Sequence, residues 1–326
     1  MLENSFRRLG RASGGLPFAL GIRKADLAVF HKFPRGPGGG GHQFLRGLLR
    51  VLETRGLTVE HNRISRATPA CLFNSFNFDF QRLRRFRRAG CRMVHRVDGP
   101  IGVYRGFDDG TDARIHALNR ELADATIFQS EFSLVKHREL GLECRDPTVI
   151  LNAADPLVFG RKPAAVLPDT RKLRIIATSW SANPRKGAAV YRWLDDNLDW
   201  NKHEFTFVGQ TGESFSHIRH LPPVDSRRLA ALLHEHDVFL TASQDDPCSN
   251  SLIEALSCGL PAVYRKSGGH PEIVRNAGLG FNLPDEIPEL VAEIARDYTR
   301  FCSAIDLPTL DQVTDRYLEV LQVQPR

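Results

Sequence analysis

The chain has 326 residues, of which 42% are hydrophobic and 25% charged, so it can bury the cores of two ordinary domains and is not broadly disordered. It has no run of about 18 apolar residues, and the apolar stretch at 16–20 is too short for a secretory signal, so we expect a cytoplasmic protein. The six cysteines are scattered singly, without metal-site spacing, and we expect neither a disulfide nor structural zinc.

One arginine-rich segment accounts for the net charge of +6. Seven arginines and no acidic residue lie between Gln81 and Arg96. Charge this concentrated indicates a local anionic partner, such as the inner face of a membrane, rather than a uniformly basic protein. Arginine also replaces lysine through most of the chain, so codon bias is a plainer explanation of part of this charge.

Short apolar runs alternate with helical patterns in two series. Strands are predicted at 26–30, 70–73, 91–95, 125–128 and 148–151, then at 173–178, 204–208, 237–241 and 260–264. Helices are predicted at 42–55, 111–122 and 131–140, then at 186–197, 226–234, 249–258, 286–301 and 310–321. Such alternation predicts an α/β protein with doubly wound parallel sheets.

Two domains follow from where this alternation breaks. We assign 1–160 to an N-terminal Rossmann-like domain, 161–171 to a proline-containing linker and 172–326 to a C-terminal Rossmann-like domain. The final helix has no strand after it and is free to pack back on the first domain. Two such sheets should face each other across a cleft at their carboxyl ends, where doubly wound folds bind ligands.

The stretch 244–263 places small polar residues where a helix begins after a strand. Ser249, Asn250 and Ser251 stand at this helix N-terminus, whose free amides and partial positive charge suit a phosphate. Glu254 lies about one turn further, where a carboxylate can accept hydrogen bonds from both ribose hydroxyls. An ordinary N-capped helix with a solvated glutamate explains these few residues equally well.

The same stretch resembles the signature of the family 4 retaining glycosyltransferases, which have the GT-B fold. That family carries a Glu-x7-Glu pair followed by Ala, a small residue, Gly and Pro-Val. Here Asp246 and Glu254 have that spacing, with aspartate in place of the first glutamate, and Gly259 and Pro261 follow in register. Residues 267–281, SGGHPEIVRNAGLGF, are similar to the family's Gly-Gly-x-x-Glu-Ile-Val stretch.

Upstream, residues 177–187, ATSWSANPRKG, resemble the family's first C-terminal strand and its loop ending in Lys-Gly. The resemblance implies that Lys186, helped by Arg185, neutralises the donor diphosphate, a role that suits both side chains. The family's usual arginine falls near Ser181, so we expect Arg185 to substitute for it. Taken alone, Lys186 is better explained as a solvated residue at a helix start.

In the first half the resemblance rests on a glycine loop and a strand end. Residues 31–45, HKFPRGPGGGGHQFL, look like the family's acceptor-side loop, in which backbone can approach a ligand closely. The glycines of this loop are Gly38, Gly39, Gly40 and Gly41. Residues 93–99, MVHRVDG, resemble the strand end where the family has a donor-contacting histidine, matched here by His95 with Asp98 nearby. A histidine at a strand end is more often structural.

The resemblance implies a reaction in which a sugar passes from a nucleotide diphosphate sugar to a hydroxyl of a glycan or lipid-linked glycan. It implies retention at the anomeric carbon and no metal or other cofactor. Asp246, His95 and Asp98 are the candidate catalytic residues, with Asp246 on the donor sugar and Glu254 on the ribose. Lys186, Arg185 and the amides of 249–251 would hold the diphosphate. We expect no nucleic-acid partner.

Two other functions fit parts of the sequence. The glycine run 36–41 satisfies the pattern of an NAD(P)-binding loop, with Glu60 about twenty residues on, although a glycine run satisfies it trivially. Residues 82–88, RLRRFRR, could instead make the protein a non-enzymatic binder of anionic surfaces. Neither alternative explains the stretch 244–263.

Overall fold

Two six-stranded sheets organise the residues that this computed structural model describes, which are 25–33, 40–161, 167 and 171–324. All the strand pairs in both sheets are parallel. The predicted α/β class with two doubly wound parallel sheets is therefore confirmed.

The N-terminal sheet has the strand order β2-β1-β3-β4-β5-β6. Its strands are β1 (Leu27–Phe30), β2 (Val59–His61), β3 (Ala70–Asn74), β4 (Arg92–Val97), β5 (Ala125–Phe128) and β6 (Pro147–Val149). β1, β3 and β5 are buried along their whole length. Burial on both faces of a parallel sheet explains why these strands appear in the sequence as continuous apolar runs.

The C-terminal sheet has the order β12-β11-β10-β7-β8-β9. Its strands are β7 (Leu173–Ser179), β8 (His203–Gly209), β9 (Arg219–Leu221), β10 (Val238–Thr241), β11 (Ala262–Arg265) and β12 (Gly278–Phe281). The strand order changes direction beside β7, between its neighbours β10 and β8. This is the position where doubly wound sheets form a crevice at their carboxyl ends.

Helices cover both faces of each sheet. On the N-terminal side they are α1 (Gly40–Thr54), α2 (Phe80–Phe86), α3 (Ile101–Arg105), α4 (Thr111–Leu122) and α5 (Glu131–Glu139). The others are α6 (Ala188–Asn197), α7 (Ser226–Glu235), α8 (Asn250–Ser257), α9 (His270–Val274), α10 (Ile287–Arg296), α11 (Tyr298–Ser303) and α12 (Leu310–Leu321). None of these described helices is both long and apolar enough to cross a membrane.

Helix α12 lies against the N-terminal sheet rather than the sheet that precedes it in the chain. Thr309 and Gln312 cap its first turn reciprocally. Tyr317 and Leu321 then share one buried core with Phe44 and Leu48 of α1. The rings of Phe44 and Tyr317 are 5.9 Å apart. The chain therefore passes between the two sheets twice, before β7 and before α12.

The elements that the sequence did not predict are short. β2 and β9 have three residues each, and β12 has glycine at two of its four positions, so none shows a strand pattern. The predicted helix 286–301 is two helices, because Asp297 leaves the helical conformation at φ −123° and ψ 33°. α3 and α9, with five residues each, are too short to show a helical period.

Candidate active site

A cleft of about 710 Å³ lies between the carboxyl ends of the two sheets. The N-terminal half contributes Gly40, Gly41, Gln43, Arg46, Asp98, Tyr104, Arg105 and Gln129. The C-terminal half contributes, among others, Ser179, Trp180, Lys186, Gly209, Val224, Asp246, Ser249, Asn250, Ser251 and Glu254. The volume falls in the range of cavities that hold small-molecule ligands.

The central polar contact of the cleft is an ion pair. Lys186 Nζ donates to Asp246 Oδ2 over 2.7 Å, and their side chains are 28% and 12% exposed. Burial opposes both charges. The Asp246 carboxylate nevertheless raises the pKa of Lys186, and Lys186, with His270, lowers the pKa of Asp246. The pair is therefore a charged ammonium next to a charged carboxylate, held at the wall of a cavity.

Three tethers fix the loop that carries Asp246. The backbone N–H of Gln244 donates to the Arg185 carbonyl over 2.7 Å, and that of Asp245 donates to Ser267 Oγ over 2.9 Å. The carbonyl of Asp246 accepts from the Gly269 N–H over 2.9 Å. The loop is bound on both sides, so these contacts hold the backbone of Asp246 in place in addition to the ion pair of its side chain.

Lys186 is held by a tight turn. Residues Pro184–Lys186 form a 3₁₀ turn capped by Asn183, and Gly187 follows at φ +83°. A Cβ at Gly187 would lie 2.4 Å from the Cβ of Ala242, so only glycine fits there. The Lys-Gly sequence is thus explained by close packing against the end of β10, which aims Lys186 into the cleft.

The N-terminus of α8 opens onto the same cleft. Ser249 occupies the N-cap position, and no side chain in the described structure caps the first-turn amides. The Ser249 and Ser251 hydroxyls lie 3.2 Å apart. Asn250 Oδ1 accepts a hydrogen bond from Asn152 Nδ2 over 3.0 Å, which joins this helix to the N-terminal half. Uncapped amides with a helix dipole behind them form a binding site for an anion.

Glu254 lies one turn further along α8, lines the cleft and is only 7% exposed. Within the described structure its carboxyl group has no hydrogen-bond partner. Burial raises its pKa to about 8. A buried carboxyl group without a protein partner is costly unless a ligand supplies the missing hydrogen bonds. This position therefore suits a polyhydroxyl group such as a ribose.

Asp98 reaches the cleft from the end of β4 and is held by two N-terminal side chains. It accepts from Arg96 Nη1 over 3.2 Å and from Gln129 Nε2. The guanidinium of Arg96 is itself completely buried and donates to Tyr317, Asn74 and Asn152. These contacts satisfy the buried charge and connect Asp98 rigidly to the interior of the N-terminal half.

His95 lies outside the cleft, in the interior of the N-terminal sheet. Its Nε2 bonds the Ser75 carbonyl over 3.0 Å, its Nδ1 lies 3.2 Å from Asn119 Nδ2, and its ring stacks on Phe73 at 4.2 Å. Burial lowers its pKa to about 3, so it is neutral. Alternate residues of a strand face opposite sides of the sheet, so His95 faces α4 while Asp98 follows the strand end into the cleft.

Arg185 also points away from the cleft. Its Nη1 donates to Asp245 Oδ2 over 2.5 Å, and its Nε packs against Gly106. It therefore holds two loops together and does not share the cleft wall with Lys186. Of the predicted glycine loop, Gly40 and Gly41 line the cleft, whereas Gly38 and Gly39 lie outside the described residues.

Several cleft residues were not predicted from the sequence. Tyr104, Arg105 and Gln129 come from the N-terminal half, and Trp180 stands 43% exposed at the wall after β7. Gln129 and Trp180 immediately follow strands, and the rule that ligands bind at carboxyl ends of parallel strands could have found them. Arg105 and Tyr104 lie on the short helix α3, for which the sequence offered no comparable signal.

Comparison with known proteins identifies a similar domain. Residues 215–299 match the family model described as "Glycosyl transferases group 1". The spore coat protein SA of Bacillus subtilis (strain 168) is 30% identical over 110 residues, which are 32% of this chain and 28% of that protein. The C-terminal half therefore contains a segment similar to glycosyltransferases of group 1, and the match spans less than a third of the curated relative.

Solved structures of low sequence identity share the whole architecture. HepE of Anabaena, in complex with UDP-glucose, has a TM-score of 0.68 at 16% identity, covering 91% of this chain and 99% of that one. Sucrose-phosphate synthase of Thermosynechococcus elongatus has a TM-score of 0.68 at 16% identity, covering 91% of this chain and 94% of that one. The starch synthase IV catalytic domain of Arabidopsis thaliana, bound to ADP and acarbose, has a TM-score of 0.66 at 11% identity, covering 91% of this chain and 98% of that one. The GT-B fold expected from the sequence is confirmed.

The raised pKa of Glu254 predicts a pH-dependent stability. The folded protein holds a proton on Glu254 up to about pH 8, whereas the unfolded chain releases it near the ordinary value of 4.5. The folded state therefore binds more protons between these values, and its stability falls as pH rises through that window. Glu254→Gln removes the titrating carboxyl group and with it this pH-dependent loss of stability. The melting temperature of the variant minus that of the wild type should therefore grow from pH 5 to pH 8.

Each kcal/mol corresponds to roughly 2–4 °C for a domain of about 150–250 residues, so differential scanning calorimetry can resolve the trend. Glu272→Gln is a useful comparison, since Glu272 is only half-buried and its carboxylate accepts from the Glu131 and Phe132 amides. A difference between Glu254→Gln and wild type that stays constant from pH 5 to pH 8 would contradict the assignment of a protonated Glu254.

Proposed function

We propose that this protein is a retaining, family 4 glycosyltransferase that transfers a sugar from a nucleotide diphosphate sugar to a hydroxyl of a glycan or lipid-linked glycan. The observation that carries the proposal is the convergence, in one cleft, of Lys186, the uncapped N-terminus of α8 and the unpartnered carboxyl group of Glu254. These groups match the diphosphate and ribose of one ligand. The similarity of 215–299 to glycosyltransferases supports it.

The cleft can stabilise a departing diphosphate without rearranging its backbone. As the bond between the anomeric carbon and the diphosphate oxygen breaks, negative charge grows on that oxygen. Lys186 and the α8 amides already face the cavity, so their charge and dipoles are oriented in advance. In this mechanism Asp246 accepts hydrogen bonds from the donor sugar, Glu254 holds the ribose and Asp98 lies on the acceptor side. No metal ion is required, because the protein supplies the positive charge.

Retention at the anomeric carbon is the finer part of the proposal. It is supported by the spacing of Asp246 and Glu254, which resembles the Glu-x7-Glu signature of the retaining family. Among the similar structures one binds UDP-glucose and another ADP with acarbose, so we propose a nucleotide sugar as the donor without assigning its base. The NAD(P) alternative loses support, because the Glu60 carboxylate that would bind the ribose instead accepts hydrogen bonds from Ser65 and Thr68.

We also propose that the arginine-rich segment makes an electrostatic contact with anionic lipid at the inner face of the membrane. Arg87, Arg88 and Arg92 line a hollow of about 510 Å³ beside Asp124, at the amino ends of β4 and β5. The cleft lies at the opposite, carboxyl ends of these strands, so these arginines cannot contact a substrate there. Leu83 is buried and Phe80 and Phe86 pack against the core, so the contact is made by charge and not by inserted apolar side chains.

The donor is tested by thermal shift with UDP, GDP, TDP and ADP and with their sugars. A ligand that binds only the folded state raises the melting temperature. At least one nucleoside diphosphate should stabilise the protein, and Lys186→Ala should abolish that shift. Because Lys186→Ala leaves Asp246 as a buried unpaired carboxylate, Lys186→Ala/Asp246→Asn serves as a second variant. The absence of a shift with every nucleotide would contradict the proposal.

Sugar transfer and donor hydrolysis then test Asp246 against its neighbour. Asp246→Asn keeps the size of the side chain but removes the charge, so turnover should fall strongly, on the order of a hundredfold. Nucleoside-diphosphate affinity should persist, because Lys186 is freed from its partner. Asp245→Asn should reduce turnover much less, since Asp245 is occupied by Arg185. The reverse order would show that Asp246 is not the sugar contact.

Membrane contact is tested by co-sedimentation with vesicles of neutral or anionic lipid. Arg85, Arg87 and Arg88 are exposed, and changing all three to Gln leaves the Arg84–Glu121 ion pair intact. Binding should require anionic lipid, weaken as salt rises and disappear in this triple variant. Arg120, Arg138 and Arg145, also exposed in the same half, changed together to Gln, remove equal charge and should leave binding unchanged. No binding at low salt would contradict the proposal.

A further inference from the structure

A diphosphate carries more charge than Lys186 alone can neutralise. Lys186 is already matched by Asp246, and Arg185, expected from the sequence to be the second cation, is bound to Asp245 outside the cleft. Apart from Lys186, the cations that line the described part of the cleft are Arg46 and Arg105, both from the N-terminal half. The second positive charge on a diphosphate therefore has to come from across the cleft.

The segment 99–105, which includes helix α3 and Arg105, contacts both the loop that contains Lys186 and the loop that contains Asp246. On one side, Asn183 Nδ2 donates to the Arg105 carbonyl over 3.3 Å. On the other, Gly99 packs so closely on Pro247 that a Cβ at Gly99 would lie 2.4 Å from the Cβ of Pro247. The loops containing Lys186 and Asp246 thus both contact the segment 99–105. Arg105 is the last residue of α3 and lies at the end of this segment that contacts the Lys186 loop.

The side chain of Arg105 is oriented by aromatic rings. Its guanidinium lies 5.8 Å from the centre of the Phe76 ring and 6.0 Å from that of Tyr104. Tyr104 links it to Lys186. Burial and Asp98 raise the pKa of the Tyr104 phenol, while Arg105, which also bonds it, and Lys186 oppose that rise. Tyr104 therefore lies near both cations, and all three side chains line the same cleft.

Arg46 lies toward the other end of the cleft. Its guanidinium lies 5.8 Å from the centre of the Phe33 ring. It also borders a side hollow of about 150 Å³ together with Arg50, Asp155 and Glu254. Arg46 therefore lies near Glu254, the proposed ribose contact, whereas Arg105 lies near the turn of Lys186, the proposed diphosphate contact.

We propose that Arg105, supplied by the N-terminal half, is the second diphosphate-binding cation and takes the role that the sequence assigned to Arg185. This inference rests on the proposed function, because it assumes a nucleoside diphosphate beside Lys186. An arginine that meets the terminal phosphate from the opposite half makes the diphosphate site complete only when both halves face each other. Arginine suits this task, since its planar fork can bind two phosphate oxygens at once.

The test compares the affinities for a nucleoside diphosphate and for the corresponding monophosphate by calorimetry, with the base that stabilises the wild type most. Arg105→Gln should weaken diphosphate binding about tenfold to a hundredfold, the range of a charge-assisted hydrogen bond. It should change monophosphate binding much less, and Arg105→Lys should restore part of the loss. Arg185→Gln should have a smaller effect on the ratio of the two affinities.

Two controls isolate the cation from its structural contacts. Asp109→Asn removes the carboxylate that pairs with Arg105 over 3.4 Å, yet keeps the arginine, so diphosphate binding should persist. Arg120→Gln removes one exposed charge from the same half without touching the cleft. An unchanged ratio of diphosphate to monophosphate affinity in Arg105→Gln, with a wild-type melting temperature, would overturn the inference. If the wild type binds no nucleoside diphosphate, the proposed function itself fails.

Discussion

The ion pair between Lys186 and Asp246 sets the electrostatics of the cleft. Two opposite charges lie 2.7 Å apart at the wall of a cavity, with little exposure to water. Removing one partner of such a pair costs about 3–5 kcal/mol, because the other charge is then buried alone. In the proposed function, a bound diphosphate supplies Lys186 with a second anionic partner, while the hydroxyls of the donor sugar satisfy Asp246. The two residues that pair with each other at the cleft wall are then also the contacts proposed to recognise the donor.

The surrounding structure keeps this pair at the meeting point of the two halves. Gly187 allows the turn of Lys186 to pack on β10, and main-chain tethers hold the loop of Asp246 on both sides. Across the cleft, Arg96 anchors Asp98 to a buried network that includes Tyr317 of the returning helix α12. α12 therefore does more than close a core, since it fixes the N-terminal wall opposite the ion pair. Contacts such as Asn152 with Asn250 join these walls directly.

The sequence predicted the fold and part of the site for identifiable physical reasons. Buried parallel strands such as β5 appear as continuous apolar runs, and the spacing of Asp246 and Glu254 along one loop and helix is a local property. Which neighbour in a tight turn faces the cleft is decided by packing, so sequence could not separate Lys186 from Arg185. His95 was misplaced because its position in β4 gave no indication of which side of the sheet it faces. Arg105 could not be predicted at all, because it reaches the site only through the apposition of the two halves.

The most direct measurement is a crystal structure of the protein with the nucleoside diphosphate that stabilises it most. A phosphate oxygen should lie within hydrogen-bond distance of Lys186 Nζ, with the α8 amides at the diphosphate and the ribose hydroxyls on Glu254. The positions of Arg105 and Arg185 in the same structure show which arginine meets the terminal phosphate. A nucleotide bound elsewhere, or one whose diphosphate leaves Lys186 with Asp246 as its sole partner, would contradict the central claim.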